Sequence, residues 1–266
     1  VVGRQRFGEV CGRTGGPVAS ILAGIRLDGL VWDAGGAIGL PGVIEVQRGE
    51  VVAVVAAGDA GTVLADVLVG LVPPAGGTVR LVPPATGTAG IADRGRPDPR
   101  LVTLIPAGGA LLPQRTVAQN ITFGDRATMG PQARENRVVE LAQLFRVAGV
   151  LRLHPHRLSP AQRLGVAAAR ALGSEPRAVV LEDRAGQPDC ATVVAALASH
   201  DVAVIVITDS AARAALLTDH VVHARPTPPA GPAPRAEPAA VGPAPRAEPA
   251  ASEPGGVGGG RDVDLA

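Results

Sequence analysis

Two hydrophobic periodicities alternate along this chain. Residues 51–56 (VVAVVA), 179–181 (VVL) and 202–207 (VAVIVI) are short uninterrupted apolar runs rich in β-branched side chains, the pattern of strands buried on both faces of a parallel sheet. Between them the apolar residues recur at helical spacing, as Leu64, Val67, Leu68 and Leu71 after the first run and as Val138, Val139, Leu141, Leu144 and Phe145 within 135–150. A further helix is predicted over 160–172, where Ser159 is a good N-cap and Pro160 suits the first helical position. A short helix over 211–217 and a closing strand over 220–223 follow the third run. Residues 25–46, IRLDGLVWDAGGAIGLPGVIEV, predict two short strands around a Gly turn, an antiparallel β edge. Strands and helices in this order predict an α/β fold in which the three apolar runs are neighbours in one mainly parallel sheet.

Periodicity fails at both ends. Residues 1–24 are Gly-rich and read as an N-terminal extension. From 225 to 266 the composition shifts to Pro, Ala and Gly, and GPAPRAEPAA begins at Gly231 and again at Gly242, a Pro-broken repeat that predicts a disordered, partly polyproline tail. The domain proper is placed at 25–224, with a helical insert at about 117–172.

A net charge of +1 recommends neither nucleic acid nor an anionic membrane as partner. No run of 18 apolar residues occurs and the first residues lack a signal-peptide core, so the chain is expected not to span a membrane by itself. Cys11 and Cys190 lie far apart and in no metal-ligand spacing, and a reducing cytoplasm is the default compartment. With no Tyr and one Trp, the core must be built from Val, Leu, Ile and Ala.

Candidate chemistry starts at the first apolar run. GEVVAVVAAGDAGTVLADVLVGL, from Gly49 to Leu71, is strand, glycine turn and helix, the frame of a phosphate-binding loop. Such a loop needs G-x-x-x-x-G-K-[ST], with a Lys on the outer phosphates and a hydroxyl on the magnesium ion. Here Thr62 follows Gly61 directly, and the chain contains no Lys: all 25 basic residues are Arg. None of them lies between Arg48 and Arg80, whereas Asp59 and Asp66 do. A triphosphate is therefore expected to meet negative charge and no positive charge.

Four segments in order resemble the nucleotide-binding subunits of ATP-binding cassette (ABC) transporters. They are the loop frame, LVTLIPAGGALLPQRTVAQNITFG at 101–124, HRLSPAQRLGVAAARAL at 156–172 and RAVVLEDR at 177–184. The second is importer-like in Pro106, Leu111, Pro113, Thr116, Val117, Asn120, Ile121, Phe123 and Gly124. The resemblance implies a P-loop NTPase-like (ABC ATPase) fold with an antiparallel β edge and a helical insert subdomain facing a membrane subunit. It implies ATP and Mg2+ as ligands, with Gly58, Gly61, Thr62, Ser159 and Gln162 as nucleotide-binding positions and Thr62 and Glu182 as metal positions. Glu182 and Asp183 stand at the catalytic acid positions with their order exchanged, Glu on the magnesium side and Asp where a Glu activates water.

Other departures accumulate. The adenine-stacking aromatic falls on Ala34, while nearby Trp32 reads as a core residue under the sheet. The glutamine that couples metal to membrane partner is Ala107, and a γ-phosphate histidine is Asp209. Pro160 and Ala161 replace signature glycines, and Pro160 has no N–H to offer an anion. The acid pair reads as solvated beside Arg184. Phosphoryl transfer depends on positioning and charge stabilisation, so these losses compound. The expectation is an ABC ATP-binding-subunit-like protein with weak or absent ATP binding and little hydrolysis. It would partner a membrane permease or a competent sister subunit from the cytoplasm, at the inner face of the plasma membrane. An active transport ATPase and a vestigial or stand-alone domain remain the alternatives.

Overall fold

A computed structural model describes residues 24–82, 101–123, 130–184 and 190–227. The N-terminal extension before Gly24, Cys11, Gly124 and the tail from 228 lie outside the described residues. Two sheets organise the rest. The parallel sheet takes the three apolar runs as β4 (Val51–Val55), β7 (Ala178–Asp183) and β8 (Ala203–Thr208), flanked by β6 (Val102–Ile105) and β9 (Val221–His223) in the order β6-β7-β8-β4-β9. Every residue of β7 and β8 is buried, as continuous apolar runs demand. All pairings in this sheet are parallel, and the register sets Asp183 of β7 beside Thr208 of β8.

The expected antiparallel edge is a sheet in its own right. Residues 25–46 form three strands instead of two, because both Gly35-Gly36 and Pro41-Gly42 turn the chain: β1 (Gly24–Asp33), β2 (Ala37–Gly39) and β3 (Val43–Gln47). β5 (Gly76–Val82) pairs along β1, and β10 (Arg225–Pro226) adds to β2. The sheet thus uses Gly24 and reaches Pro226.

Helix α1 (Asp59–Leu68) packs between the sheets, against β1 of one and β7 and β8 of the other. Its buried stripe includes Leu64, Val67 and Leu68, whereas Leu71 lies past its end and is exposed. Trp32 is fully buried in the same layer and donates its indole N–H to the Ala60 carbonyl at 2.9 Å, which fixes the first turn of α1. As read from sequence, it belongs to the core.

The opposite face of the parallel sheet is covered by α4 (Pro160–Gly173) and α5 (Ala191–Ser199), with α2 (Val117–Ile121) and α3 (Pro131–Leu144) beyond them. The third helix begins four residues before the predicted 135, with Pro131 at its first turn. Asn120, wholly buried on α2, is the polar knot of this region. Its side chain accepts from the Leu112 N–H at 2.8 Å and donates to the carbonyls of Leu112, Arg115 and Thr116 at 3.0–3.1 Å. Asn120→Ala removes these bonds from the Leu112 N–H and the Arg115 carbonyl in a dry site, while the Leu112 and Thr116 carbonyls keep the N–H groups of Arg115 and Asn120, and it is expected to cost about 2 kcal/mol. A urea unfolding midpoint unchanged from wild type would contradict this.

Candidate functional site

The site lies at the carboxyl ends of β4, β7 and β8, where ligands of open α/β sheets bind. β4 ends at Val55, and only Ala56, Ala57 and Gly58 separate it from α1. Gly58 makes the turn at φ 55°, ψ −135°, a conformation that disfavours a side chain, and caps α1 without any side-chain hydrogen bond. A Cβ on Gly61 would sit 3.1 Å from both the Ala56 carbonyl oxygen and Ile207, so the helix lies tight against the sheet. The helix has already begun at Asp59, and Gly61 and Thr62 fall within its first turn.

Gly58, Gly61, Thr62, Glu182 and Asp183 all line the resulting cleft, together with Arg184 and Asp209. Its cavity volume is about 50 Å³. Small-molecule sites are typically about 300–1,000 Å³, so the cleft as it stands is smaller than these.

The acids at the end of β7 differ from the expected solvated pair. Glu182 is 7% and Asp183 1% exposed, and each is engaged by an arginine. Arg213 takes Asp183 in a two-pronged grip: its Nε donates to Oδ2 at 2.7 Å while an Nη donates to Oδ1. The grip arises because β8 ends beside β7 and α6 (Ala211–Leu217) starts just afterwards, capped by Ser210, whose hydroxyl accepts the Arg213 N–H at 3.3 Å. Arg213 therefore projects from the first turn of α6 over the end of β7. Glu182 has one carboxylate oxygen 3.5 Å from an Nη of Arg184, and the other accepts the backbone N–H of Ala107 at 3.0 Å. The same Nη of Arg184 donates to the Thr62 hydroxyl.

Positive charge therefore does reach the loop, contrary to the expectation from the segment between Arg48 and Arg80. Arg184 arrives from the end of β7, which β8 separates from β4, 122 residues away in sequence. The signal for it was an arginine next to two carboxylates in a chain without Lys. Arg213 had no such signal, because its partner lies 30 residues upstream on another element.

Ser159 and Gln162 are outside this cleft. They bond reciprocally at the start of α4, Gln162 N–H to Ser159 Oγ at 3.2 Å and Ser159 N–H to Gln162 Oε1 at 2.9 Å, which is a capping box. Ala34 is half-buried against the core, and the described residues place no aromatic ring in the lining of the cleft. Among them no three of His, Cys, Asp and Glu gather as a metal cluster, and no helix is long and apolar enough to cross a membrane.

No protein-family model matches the chain. It is 34% identical over 148 residues to the sulfate/thiosulfate import ATP-binding protein CysA of Gloeobacter violaceus, covering 55% of this chain and 41% of that one. It is 29% identical over 170 residues to the putative 2-aminoethylphosphonate import ATP-binding protein PhnT of Salmonella typhimurium, covering 63% and 44%. The chain thus spans about two fifths of the length of the relatives it matches. Among solved structures, it is similar to the ATP-binding cassette MJ0796 in a post-hydrolysis dimer bound to ADP and Pi, at a TM-score of 0.56 and 18% identity, over 75% of this chain and 93% of the other. It is likewise similar to cbiO1 from Clostridium perfringens, part of the ABC transporter complex cbiONQ, at a TM-score of 0.53 and 18% identity, over 69% and 77%.

Proposed function

We propose that this chain, which resembles the ATP-binding subunits of ABC importers and has the ABC ATPase fold, is a catalytically degenerate member of that class. It would serve as a non-hydrolysing partner of a membrane permease or of a competent sister subunit. The observation that carries this reading is the grip of Arg213 on Asp183. In the resembling subunits the second acid at this strand end activates water. Here the carboxylate is 1% exposed and each oxygen accepts from Arg213, so it is committed to an ion pair at a place with almost no access for a water.

The absence of Lys, the three-residue turn between β4 and α1 and the small cavity support weak or absent ATP binding. Catalysis of phosphoryl transfer needs preorganised positive charge around the γ-phosphate. The two arginines nearest this cleft are committed to carboxylates instead. The capping boxes of α2 and α4 support a stable helical insert that would dock on such a partner. A peripheral position at the inner face of the membrane follows if a permease is the partner.

Calorimetric titration of the full chain with Mg-ATP tests the reading. No saturable heat in the low micromolar range is expected. Saturable binding there would overturn the expected weakness and restore the active transport ATPase as the better account. A permease encoded beside this chain would favour the partner role over a stand-alone domain.

A further inference from the structure

The ABC ATPase fold implies a magnesium ion held between the loop hydroxyl and the first acid at the end of a second strand of the same sheet, and here those positions are Thr62 and Glu182 on β7. The residues do not fit that ion. Between the Thr62 hydroxyl and the Glu182 carboxylate stands the guanidinium of Arg184, donating to the first and 3.5 Å from the second. Mg2+ demands near-octahedral oxygen ligands at about 2.0–2.1 Å and gives up its waters reluctantly. The Thr62 oxygen already accepts from Arg184, and the two Glu182 oxygens face Arg184 and the Ala107 N–H. A divalent ion at this place would meet a fixed positive charge within a few ångströms.

We propose that Arg184 is the resident cation of this cleft, its guanidinium standing between Thr62 and Glu182 in place of a divalent metal ion, so that the cleft takes none. The substitution is chemically coherent. A guanidinium cannot be deprotonated in a protein and presents several N–H donors in one plane, so a single group reaches a hydroxyl and a carboxylate together. It neutralises Glu182, which is 7% exposed and would otherwise be a buried charge without a counterion. It also ties the start of α1 to the end of β7, the two elements that a bound metal and phosphate hold together elsewhere in this fold. The arrangement needs no ligand to be complete. This inference rests on the reading of the cleft as a degenerate ABC site, but metal binding and hydrolysis are separate measurements.

The experiment titrates the full chain with Mn2+ alone, counting bound ion by its electron paramagnetic resonance signal. Wild type is expected to bind no Mn2+ at micromolar concentration. Arg184→Ala frees the hydroxyl and the carboxylate and removes a repulsion that, at about 4 Å in water, weakens a divalent ion by on the order of 30-fold. It is therefore expected to gain one site tightened by roughly that factor, and Arg184→Ala/Glu182→Ala is expected to lose the gain. Arg184→Gln, closer in size, replaces Arg184→Ala if circular dichroism shows that variant unfolded. Micromolar Mn2+ binding by wild type, no gain on removing Arg184, or a gain that survives loss of Glu182 would each overturn the proposal. Tight Mn2+ binding without phosphate release would do so while leaving the non-hydrolysing role intact. Phosphate release would overturn that role whatever the metal result.

Discussion

Arg213→Ala is expected to lower the unfolding free energy by about 3–5 kcal/mol, the cost of leaving a buried charge without its partner. Asp183 is 1% exposed, and the Arg213 side chain, at 29%, supplies both of its side-chain hydrogen bonds. Coulomb attraction alone does not give this cost. Most of it is the desolvation of a carboxylate that Arg213 no longer compensates. Asp183→Asn in the Arg213→Ala background should therefore recover much of the loss, since a neutral amide is far cheaper to bury. Asp183→Leu with Arg213→Met should come closer still to wild type, because apolar pairs of similar volume often replace buried ion pairs without penalty. Urea unfolding at one pH of wild type, Arg213→Ala, Asp183→Asn and the Asp183→Asn/Arg213→Ala double variant measures the cycle, with Asp183→Leu/Arg213→Met alongside. Additive losses, with Asp183→Asn making Arg213→Ala worse, would mean that the two residues do not act as a unit.

The fold was largely legible because its strongest signals are local. The runs at 51–56, 179–181 and 202–207 can be little else than buried strands, and they are adjacent in one sheet as β4, β7 and β8. Ser159 and Pro160 marked the start of α4 through capping chemistry that operates within a single turn. The antiparallel sheet was read less well, since two successive glycine turns in a short segment give no local clue to which strand each one ends. The site was half legible. Gly58, Gly61, Thr62, Glu182 and Asp183 do converge on one cleft. What the sequence hid was the state of the acids, because burial and arginine pairing are set by the register of β7 and β8 and by where α6 begins. Arg213 is unremarkable in AARAALL, and only the fold brings it to Asp183.

The second large effect concerns repair. Inserting a lysine between Gly61 and Thr62 restores loop length, places a cation toward the outer phosphates and leaves Thr62 next to it. If the missing lysine were the sole lesion, nucleotide binding and hydrolysis would both return. Binding is expected to improve measurably while hydrolysis stays at background. Asp183 remains held by Arg213, Arg184 remains between Thr62 and Glu182, and Ala107 and Asp209 still offer the transition state neither the amide nor the imidazole the resembling subunits use. Contacts of this kind act together, so restoring one of several missing groups recovers little rate.

The central claim is that this cleft does not turn over ATP, and steady-state phosphate release tests it most directly. The assay compares the wild-type chain and the lysine-insertion variant, each alone and mixed with a competent sister subunit, in Mg-ATP. The account predicts release at the no-enzyme background for both proteins alone, and no increase beyond the sister subunit's own rate in the mixtures. Release from either protein alone at roughly 1 per second or faster, the pace of an ordinary enzyme, would contradict it.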